Sequence, residues 1–189
     1  MMEKVWWGIT AIWYYLLGNI CIFLRYDRKY TTGRYFKFGG AGYVWATRCF
    51  YHQTIGGRND YVPWPVSPHM GVTSPQNIEF DPDDMQIFQL SGNYFQAIGG
   101  KLKIGKGTLI AVNVGLITAN HDIHDVHKHS EGRDIVIGKK CWIGMNSVIL
   151  PGVTLGDNTV VGAGSVVTKS FPEGHCVIAG NPAKLIKTL

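Results

Sequence analysis

The sequence predicts an all-β fold in which short strands stack as coils, preceded by a hydrophobic N-terminal helix. Two observations predict the coils: aliphatic residues recur at every sixth position over the last third of the chain, and 24 glycines among 189 residues allow the backbone to turn often. An uncharged stretch near the N-terminus predicts the helix. This length is sufficient for one domain with a core and some additional short segments.

Residues 1–30 contain the predicted hydrophobic helix, because the segment 5–24 has no charged residue. At about 1.5 Å per residue this segment reaches roughly 30 Å, near the thickness of a bilayer's hydrocarbon core. It can span a membrane, lie in its interface or pack on protein. Tryptophans and tyrosines spread through its middle favour an interfacial helix, and a cleaved signal peptide is disfavoured because no A-x-A-like site follows.

Arg25, Arg28 and Lys29 follow this helix directly. The positive-inside rule therefore predicts a cytoplasmic protein, peripheral on the cytoplasmic face of the membrane. Over the whole chain 18 Lys and Arg residues stand against 13 Asp and Glu, a net charge of +5, which favours an anionic partner. These charges form no continuous stripe, so nucleic acid is not an expected partner.

The coils are predicted over residues 78–189, after an irregular cap at 31–77 that is rich in aromatic and turn-forming residues. Two aliphatic columns define the coils: Ile98, Ile104, Ile110 and Leu116 upstream, and Ile137, Ile143, Ile149, Leu155, Val161 and Val167 downstream. Six residues turn an α-helix by about 240°, whereas six steps along strands return a side chain to the same face. The columns therefore predict strands with an aliphatic interior.

Small residues are predicted to point inward beside the columns: Thr108, Cys141, Ser147, Thr159 and Ser165. Turns are expected at 105–107, 138–140 and 156–158, where Gly, Asn and Asp occur. The four cysteines are widely separated and include no C-x-x-C pair, which is typical of unpaired thiols in a reducing compartment.

The repeat is interrupted between Leu116 and Ile137, which are twenty-one residues apart where the repeat allows eighteen or twenty-four. The segment 120–134 is therefore predicted to be an excursion loop. Most of its side chains are polar and cannot fill a core, among them His121, Asp122, His124, Asp125, His127, His129, Glu131 and Arg133. Loops mounted on a stiff scaffold commonly carry the chemistry of a protein.

The run from Ile137 to Lys187 resembles the hexapeptide-repeat acyltransferases, in particular galactoside and maltose acetyltransferases and the O-acetyltransferases of polysaccharide biosynthesis. The segments 142–145 (WIGM), 162–169 (GAGSVVTK) and 180–187 (GNPAKLIK) carry the resemblance. It implies a left-handed parallel β-helix, acetyl-CoA as acyl donor, and a homotrimer with active sites at the subunit interfaces. A C-terminal cap at 176–189, expected as a short strand and helix, would shield the last sheet edge.

The segment 118–121 (TANH) is similar to the one that holds the catalytic histidine of these enzymes, which implies that His121 is the general base. An imidazole is too weak to ionise an alcohol outright, so it removes the proton as the hydroxyl attacks the thioester. The resemblance also implies a set of residues that bind acetyl-CoA: Trp142, Met145, Ala163, Thr168, Lys169, Lys184 and Lys187. Candidates for binding the acceptor are Asn93, Gln96 and Asp122.

Three positions depart from the galactoside-type pattern. Lysines replace arginines at 184 and 187, which keeps the charge and loses the bidentate fork. Met145 replaces a serine, so only its backbone N–H is left to polarise the thioester oxygen.

The expected function is transfer of an acetyl group to a hydroxyl of a carbohydrate-type acceptor, such as a lipid-linked or capsular saccharide precursor. One alternative is a zinc hydratase similar to the γ-class carbonic anhydrases, since His124 and His129 have the H-x4-H spacing of that family. Another is a non-catalytic β-helix scaffold. The main interpretation expects no metal.

Overall fold

The computed structural model describes residues 2–189, with the side chains of residues 8–189. The chain divides into two compact units, residues 1–68 and 69–189.

The first unit is helical. Helix α1 spans Met2–Arg25 and helix α2 spans Ala41–Phe50. Two 3₁₀ turns, Arg28–Tyr30 and Arg34–Phe36, lie between the helices, and a π turn, Tyr51–Ile55, follows α2. The two helices pack against each other and are joined by a connection of fifteen residues.

The two helices meet closely at Gly18 of α1 and Tyr43 of α2. A Cβ atom added to Gly18 would lie 2.9 Å from the Cβ of Tyr43, so a larger residue could not be accommodated without a shift. Ile22, Tyr26 and Ala46 complete the small core around Tyr43. The first unit therefore has a hydrophobic core of its own.

Helix α2 corrects the expectation that residues 31–77 are irregular. Its buried residues, Gly42, Tyr43, Ala46 and Cys49, recur at the spacing of one helical face. The helix is short and contains a glycine, which lowers its intrinsic helix propensity. The sequence therefore gives only a weak signal for a helix here. The all-β description holds for the second unit alone.

The second unit contains fourteen short strands. They are β1 Gly71–Thr73, β2 Ile78–Glu79, β3 Tyr94–Gln96, β4 Leu102–Ile104, β5 Leu109–Ile110, β6 Gly115–Ile117, β7 Ile135–Ile137, β8 Trp142–Ile143, β9 Val148–Ile149, β10 Thr154–Leu155, β11 Val160–Val161, β12 Val166–Val167, β13 Cys176–Gly180 and β14 Ala183–Thr188.

These strands build three sheets around one interior. Sheet A has the order β1-β3-β6-β9-β12, sheet B the order β2-β4-β7-β10, and sheet C the order β5-β8-β11-β13-β14. The complete coils pass through A, B and C in turn, whereas the last coil goes from β12 in sheet A to β13 in sheet C with only a bridge from Phe171 to Leu155 on the sheet B side. Every strand pairing except β13 with β14 is parallel. The architecture is a parallel β-helix with three faces, whose turns lie along an A/B edge, a B/C edge and a C/A edge.

The predicted interior is confirmed over the downstream column and the small residues beside it, all of which are at most 1% exposed. The upstream column differs at its first member. Phe95, not the partly buried Ile98, stacks on Leu116, because these two residues pair across β3 and β6. They are twenty-one residues apart, so this coil is three residues longer than the regular repeat.

The coils begin earlier than Ile78, since β1 already pairs with β3 in sheet A. The first coil has no strand in sheet C. A 3₁₀ segment, Pro82–Phe88, packs against β5 instead, and its Asp84 carboxylate accepts a hydrogen bond of 2.6 Å from the N–H of Gly107.

Glycines stack along the B/C edge, where the sequence predicts turns. A Cβ atom added to Gly105 would lie 2.5 Å from the carbonyl carbon of Gly138, and one added to Gly138 would lie 2.5 Å from the nitrogen of Asp157. Successive coils approach this closely only without side chains. On the C/A edge, Asn113 and Asn146 supply the left-handed conformation, each with φ of 58°.

The C-terminal cap is a hairpin. Strand β13 pairs with β11 on one side and with the antiparallel strand β14 on the other. The prediction of a helix in this cap is wrong: the turn at Gly180-Asn181-Pro182 reverses the chain, and the following residues satisfy the open edge of β13. The cap does extend sheet C beyond its last parallel strand, as the sequence predicts for this segment.

Candidate active site

The excursion loop leaves sheet A after β6 and returns to the scaffold as β7 of sheet B, so it rises from the A/B edge. It is a narrow, hydrogen-bonded finger. The N–H of Ser130 donates to the carbonyl of Asn120 at 2.8 Å, and the N–H of Asp122 donates to the carbonyl of Lys128 at 2.9 Å. His121 and His129 form an isolated antiparallel bridge between its two sides.

Asp122 shapes the turn of this finger. Its Oδ1 atom accepts hydrogen bonds from the backbone N–H groups of His124, at 2.7 Å, and Asp125, at 3.2 Å. This is the local pattern by which aspartate fixes a turn. The role as an acceptor ligand predicted for Asp122 stays a prediction, and the structure adds a structural role for its carboxylate.

His121 is exposed, and its ring stacks on that of His129 with a centroid separation of 4.7 Å and an interplanar angle of 29°. The stack and the backbone bridge together hold the His121 imidazole on one side of the finger. The sequence shows that His129 belongs to the loop but gives no sign of this contact, because it depends on how the loop folds back.

The backbone that leads into His121 is held from below by a neighbouring coil. The side chain of Gln96 accepts a hydrogen bond from the N–H of Ala119 at 3.0 Å and donates one to the Ala119 carbonyl at 3.1 Å. The hydroxyl of Thr118 donates to the carbonyl of Ile98 at 2.9 Å. The two residues before Asn120 are therefore fixed to the scaffold.

The structure shows backbone contacts for Asn93 and Gln96, and their predicted role in binding the acceptor stays a prediction. Asn93 is 1% and Gln96 is 6% exposed, so neither amide is open to a ligand on the surface. The Oδ1 atom of Asn93 accepts from the N–H of Val114 at 2.9 Å, while Gln96 is engaged with Ala119. Both side chains therefore bond to the backbone of a neighbouring coil.

The residues expected to bind acetyl-CoA are all exposed. They fall into three groups. Met145 and Ala163 lie on the C/A edge, between strands of sheet C and sheet A. Thr168 and Lys169 lie on the A/B edge, from which the loop also rises. The third group is on the outer face of sheet C: Trp142, Lys184 and Lys187.

The face of sheet C carries an exposed line of apolar residues that ends in a cation. Leu109 pairs with Trp142, which pairs with Val160, and the line continues through Val177 to Lys187. Trp142 is 56% exposed. An elongated ligand with an apolar arm and an anionic end would match this line.

The C/A edge offers hydrogen-bond donors. Within the described residues, the backbone N–H groups of Met145 and Ala163 donate to no acceptor, whereas their neighbours Gly144 and Gly164 donate to adjacent coils. These donors suit the amides of a pantetheine arm and a developing oxyanion. Within one chain, however, these two N–H groups lie on the C/A edge, whereas His121 rises from the A/B edge.

Cysteine thiols are not available as nucleophiles in the described part of the chain, where all four are buried and none forms a disulfide, as the sequence predicts. Burial raises the pKa of the Cys141 thiol, whose Sγ atom lies 3.3 Å from the carbonyl oxygen of Gly156. A covalent acyl-cysteine is therefore disfavoured, and direct attack by an acceptor hydroxyl is the chemistry that the site favours.

The histidine cluster forms no metal site within one chain. Among residues 2–189, no group of three or more His, Cys, Asp or Glu side chains is arranged to hold an ion. Within this cluster the ring of His129 stacks on that of His121.

Replacing Gln96 with Met is expected to lower kcat about ten- to hundredfold and to leave the KM for acetyl-CoA unchanged. The variant loses both bonds to Ala119, and small displacements of a catalytic group are costly. Steady-state kinetics measure the split between kcat and KM. Hydrogen exchange measures the second expected effect, faster exchange at the Ala119 amide.

Thr108→Val is the matched control. Thr108 makes the same kind of paired contact at the B/C edge, donating to the Gly138 carbonyl at 2.8 Å and accepting from the Cys141 N–H at 3.1 Å. It is fully buried and far from the loop in the coil. An equal fall of kcat in both variants would assign the effect of Gln96 to general stability.

Comparisons with known proteins agree on the kind of domain. Residues 134–169 match the family model described as Bacterial transferase hexapeptide (six repeats). The chain is 46% identical over 89 residues to galactoside O-acetyltransferase of Escherichia coli strain K12, covering 46% of this chain and 43% of the relative. It is 35% identical over 127 residues to the putative colanic acid biosynthesis acetyltransferase WcaF of the same strain, covering 65% of this chain and 64% of the relative.

A solved structure of galactoside acetyltransferase in complex with coenzyme A superposes with a TM-score of 0.56, over 94% of this chain and 82% of that one, at 24% identity. At this identity the likeness concerns the fold.

These matches do not support the zinc hydratase alternative. The chain spans about half the length of the first curated relatives it matches, 47% and 43%. The resemblance inferred from the sequence is nevertheless confirmed: residues 134–169 match the hexapeptide repeats of bacterial transferases, and the chain is similar to O-acetyltransferases over about half to two thirds of its length.

Proposed function

We propose that the chain is an acyl-CoA-dependent O-acetyltransferase that transfers an acetyl group from acetyl-CoA to a hydroxyl of a carbohydrate-type acceptor. The observation that carries the proposal is His121, an exposed imidazole on a braced finger beside the coils of a hexapeptide-repeat transferase domain. The coils are inferred to wind left-handed, as the family resemblance implies.

In the proposed reaction His121 removes the proton of the acceptor hydroxyl while that oxygen attacks the thioester carbonyl. The tetrahedral intermediate places negative charge on the former carbonyl oxygen, and the N–H of Met145 is the proposed donor to it. Collapse breaks the carbon–sulfur bond, and the imidazolium returns the proton to the departing thiolate of CoA. The products are the acetyl ester and free CoA.

A homotrimer with active sites at its subunit interfaces is part of the proposal. Two sets of candidate residues lie on different edges of one coil: His121 and Lys169 on the A/B edge, Met145 and Ala163 on the C/A edge. A neighbouring copy that turns its C/A edge toward an A/B edge would complete the site. Binding of CoA would then involve Trp142 and the lysines at 184 and 187 of the chain that offers the C/A edge.

The acceptor is proposed to be a saccharide, in particular a lipid-linked or capsular precursor in polysaccharide biosynthesis on the cytoplasmic side of a membrane. The names of the relatives, galactoside O-acetyltransferase and colanic acid biosynthesis acetyltransferase, support a carbohydrate hydroxyl.

The proposed activity is tested by following free CoA with a thiol reagent while acetyl-CoA is offered with a panel of sugars, saccharide precursors, serine and polyols. Acceptor-dependent release is expected with at least one saccharide, with mass spectrometry confirming the acetyl ester. A protein that binds no CoA by calorimetry would be a scaffold. Stoichiometric zinc with chelator-sensitive CO₂ hydration would instead favour the hydratase.

A further inference from the structure

The whole net charge of the chain lies in its first unit. Residues 1–68 contain eight Lys and Arg against three Asp and Glu, a net charge of +5, whereas residues 69–189 contain ten of each and are neutral. An anionic partner attracted by the charge of this protein is therefore attracted by the helical unit. The anions of the proposed acyl donor do not account for this placement.

Helix α1, in the same unit, is apolar on both sides. Its inner side, with Gly18, Cys21 and Ile22, is buried in the unit. Its outer side exposes large apolar residues along its length: Ile9, Ile12, Trp13, Leu16, Ile20, Phe23 and Leu24, each at least 51% exposed. A helix that is apolar all round belongs in a protein core or in a membrane.

The first unit does not supply that core. Among the described residues α1 is the one helix long and apolar enough to cross a membrane, over Gly8–Arg25, and only 17% of this stretch is buried. The unit already has its own packing elsewhere: buried Gln53 accepts a bond from the hydroxyl of Tyr26 and donates to the carbonyls of Val62 and Trp64. The unit therefore packs without burying the outer side of α1.

Basic residues gather where the apolar side ends. Arg28, Lys29, Arg34 and Lys37 are exposed within the twelve residues that follow Arg25. Asp27 is the acidic side chain in that interval, and it lies 3.6 Å from Lys29. A second copy of the chain would bring the same positive charge to such a contact, which disfavours pairing of these faces between copies.

A polar cavity joins the apolar side to the basic segment. It has a volume of about 270 Å³ and is lined by Asn19, Phe23, Arg28, Thr31 and Thr32, with Ile22 and Tyr43 behind them. The exposed Arg28 guanidinium beside the Phe23 ring provides charged donors for a phosphate whose acyl chains continue along the helix. The amide of Asn19 and the hydroxyls of Thr31 and Thr32 donate to backbone carbonyls of the unit and shape the wall of the cavity.

We propose that the first unit docks on a bilayer containing anionic phospholipids. The outer side of α1 enters the boundary between headgroups and acyl chains, and the basic residues at 28, 29, 34 and 37 contact the phosphates, with Arg28 acting through the cavity. Each basic residue near an anionic surface adds electrostatic attraction, which salt screens. This inference concerns the helical unit and stands independently of the proposed acetyl transfer.

The test is co-sedimentation of the full chain with vesicles of phosphatidylcholine alone or with about 30% phosphatidylglycerol, at low salt and at roughly 0.5 M NaCl. Binding is expected to be at least about tenfold tighter with phosphatidylglycerol and to fall at the higher salt concentration. Arg28→Glu with Lys37→Glu is expected to remove this preference. The control pair Lys103→Glu with Lys139→Glu, on the neutral unit, is expected to retain it. Equal binding to both vesicle types, or equal loss in both double variants, would overturn the proposal.

A bimane label at Phe23→Cys tests the depth of α1 separately, with circular dichroism confirming that the variant is folded. Lipids that carry a doxyl quencher near the headgroup are expected to quench its fluorescence. Absence of quenching with phosphatidylglycerol vesicles, together with disulfide crosslinking between Phe23→Cys copies, would show that a second copy covers this side and would overturn the proposal.

Discussion

His121→Ala is expected to lower kcat by about 10²- to 10⁴-fold, the range that a positioned general base contributes. The imidazole is exposed on the finger, where its side-chain contact is the stack on His129, so its removal leaves the coil interior intact. Acceptor-dependent CoA release measures the loss. Calorimetry with CoA and thermal unfolding are expected to match those of the unchanged chain.

His127→Ala is the control for this experiment. His127 is also exposed on the same finger, and its backbone N–H donates a bond of 3.2 Å to the Asp125 carboxylate, which alanine retains. The kcat of the His127→Ala variant is expected to stay within about twofold of that of the unchanged chain, since the proposed proton transfer does not involve His127. Full activity of His121→Ala would remove His121 from the mechanism.

Ile143→Ala is expected to reduce the free energy of unfolding by about 2–5 kcal/mol, the usual cost of deleting this much of a buried aliphatic side chain. Ile143 is fully buried, and its strand pairs with both β5 and β11, so the cavity would lie between two coils. Such a loss is a large part of the stability of a typical domain. Urea unfolding followed by circular dichroism measures it.

Leu109→Ala controls for the loss of an aliphatic side chain in the same sheet. Leu109 lies on β5 but is 54% exposed. Its truncation is therefore expected to change the free energy of unfolding by about 0.5 kcal/mol or less. A comparable loss in both variants would contradict the assignment of Ile143 to the interior column.

The interior was predictable because side chains alternate between the two faces of a strand, so the buried positions recur at a regular spacing in the sequence. Ile137, Ile143 and Ile149 could be assigned to one column without any knowledge of their neighbours. The finger was predictable as a break in that column. Ile98 was misassigned because the coil from Phe95 to Leu116 contains three extra residues, which a fixed step of six cannot detect.

Contacts within the site were not predictable in the same way. The role of Gln96 depends on its position directly beside Ala119 on the next coil, and coil length decides that register. The stack of His121 on His129 depends on how the finger folds back, which Asp122 controls through local bonds outside the repeat. A polar residue near a site can equally bind a ligand or hold the backbone, and composition alone does not separate the two.

The finger is inserted without disturbing the ladder around it. Leu116 still pairs with Ile149 before the insertion, and Ile104 still pairs with Ile137 after it. Lengthening such a segment twofold costs only about 0.6 kcal/mol of closure entropy. Exchange of the finger between related chains is thus a modular operation. A different segment of about 6–16 residues, the usual length of compact surface loops, can be grafted there while the stacked coils keep their register.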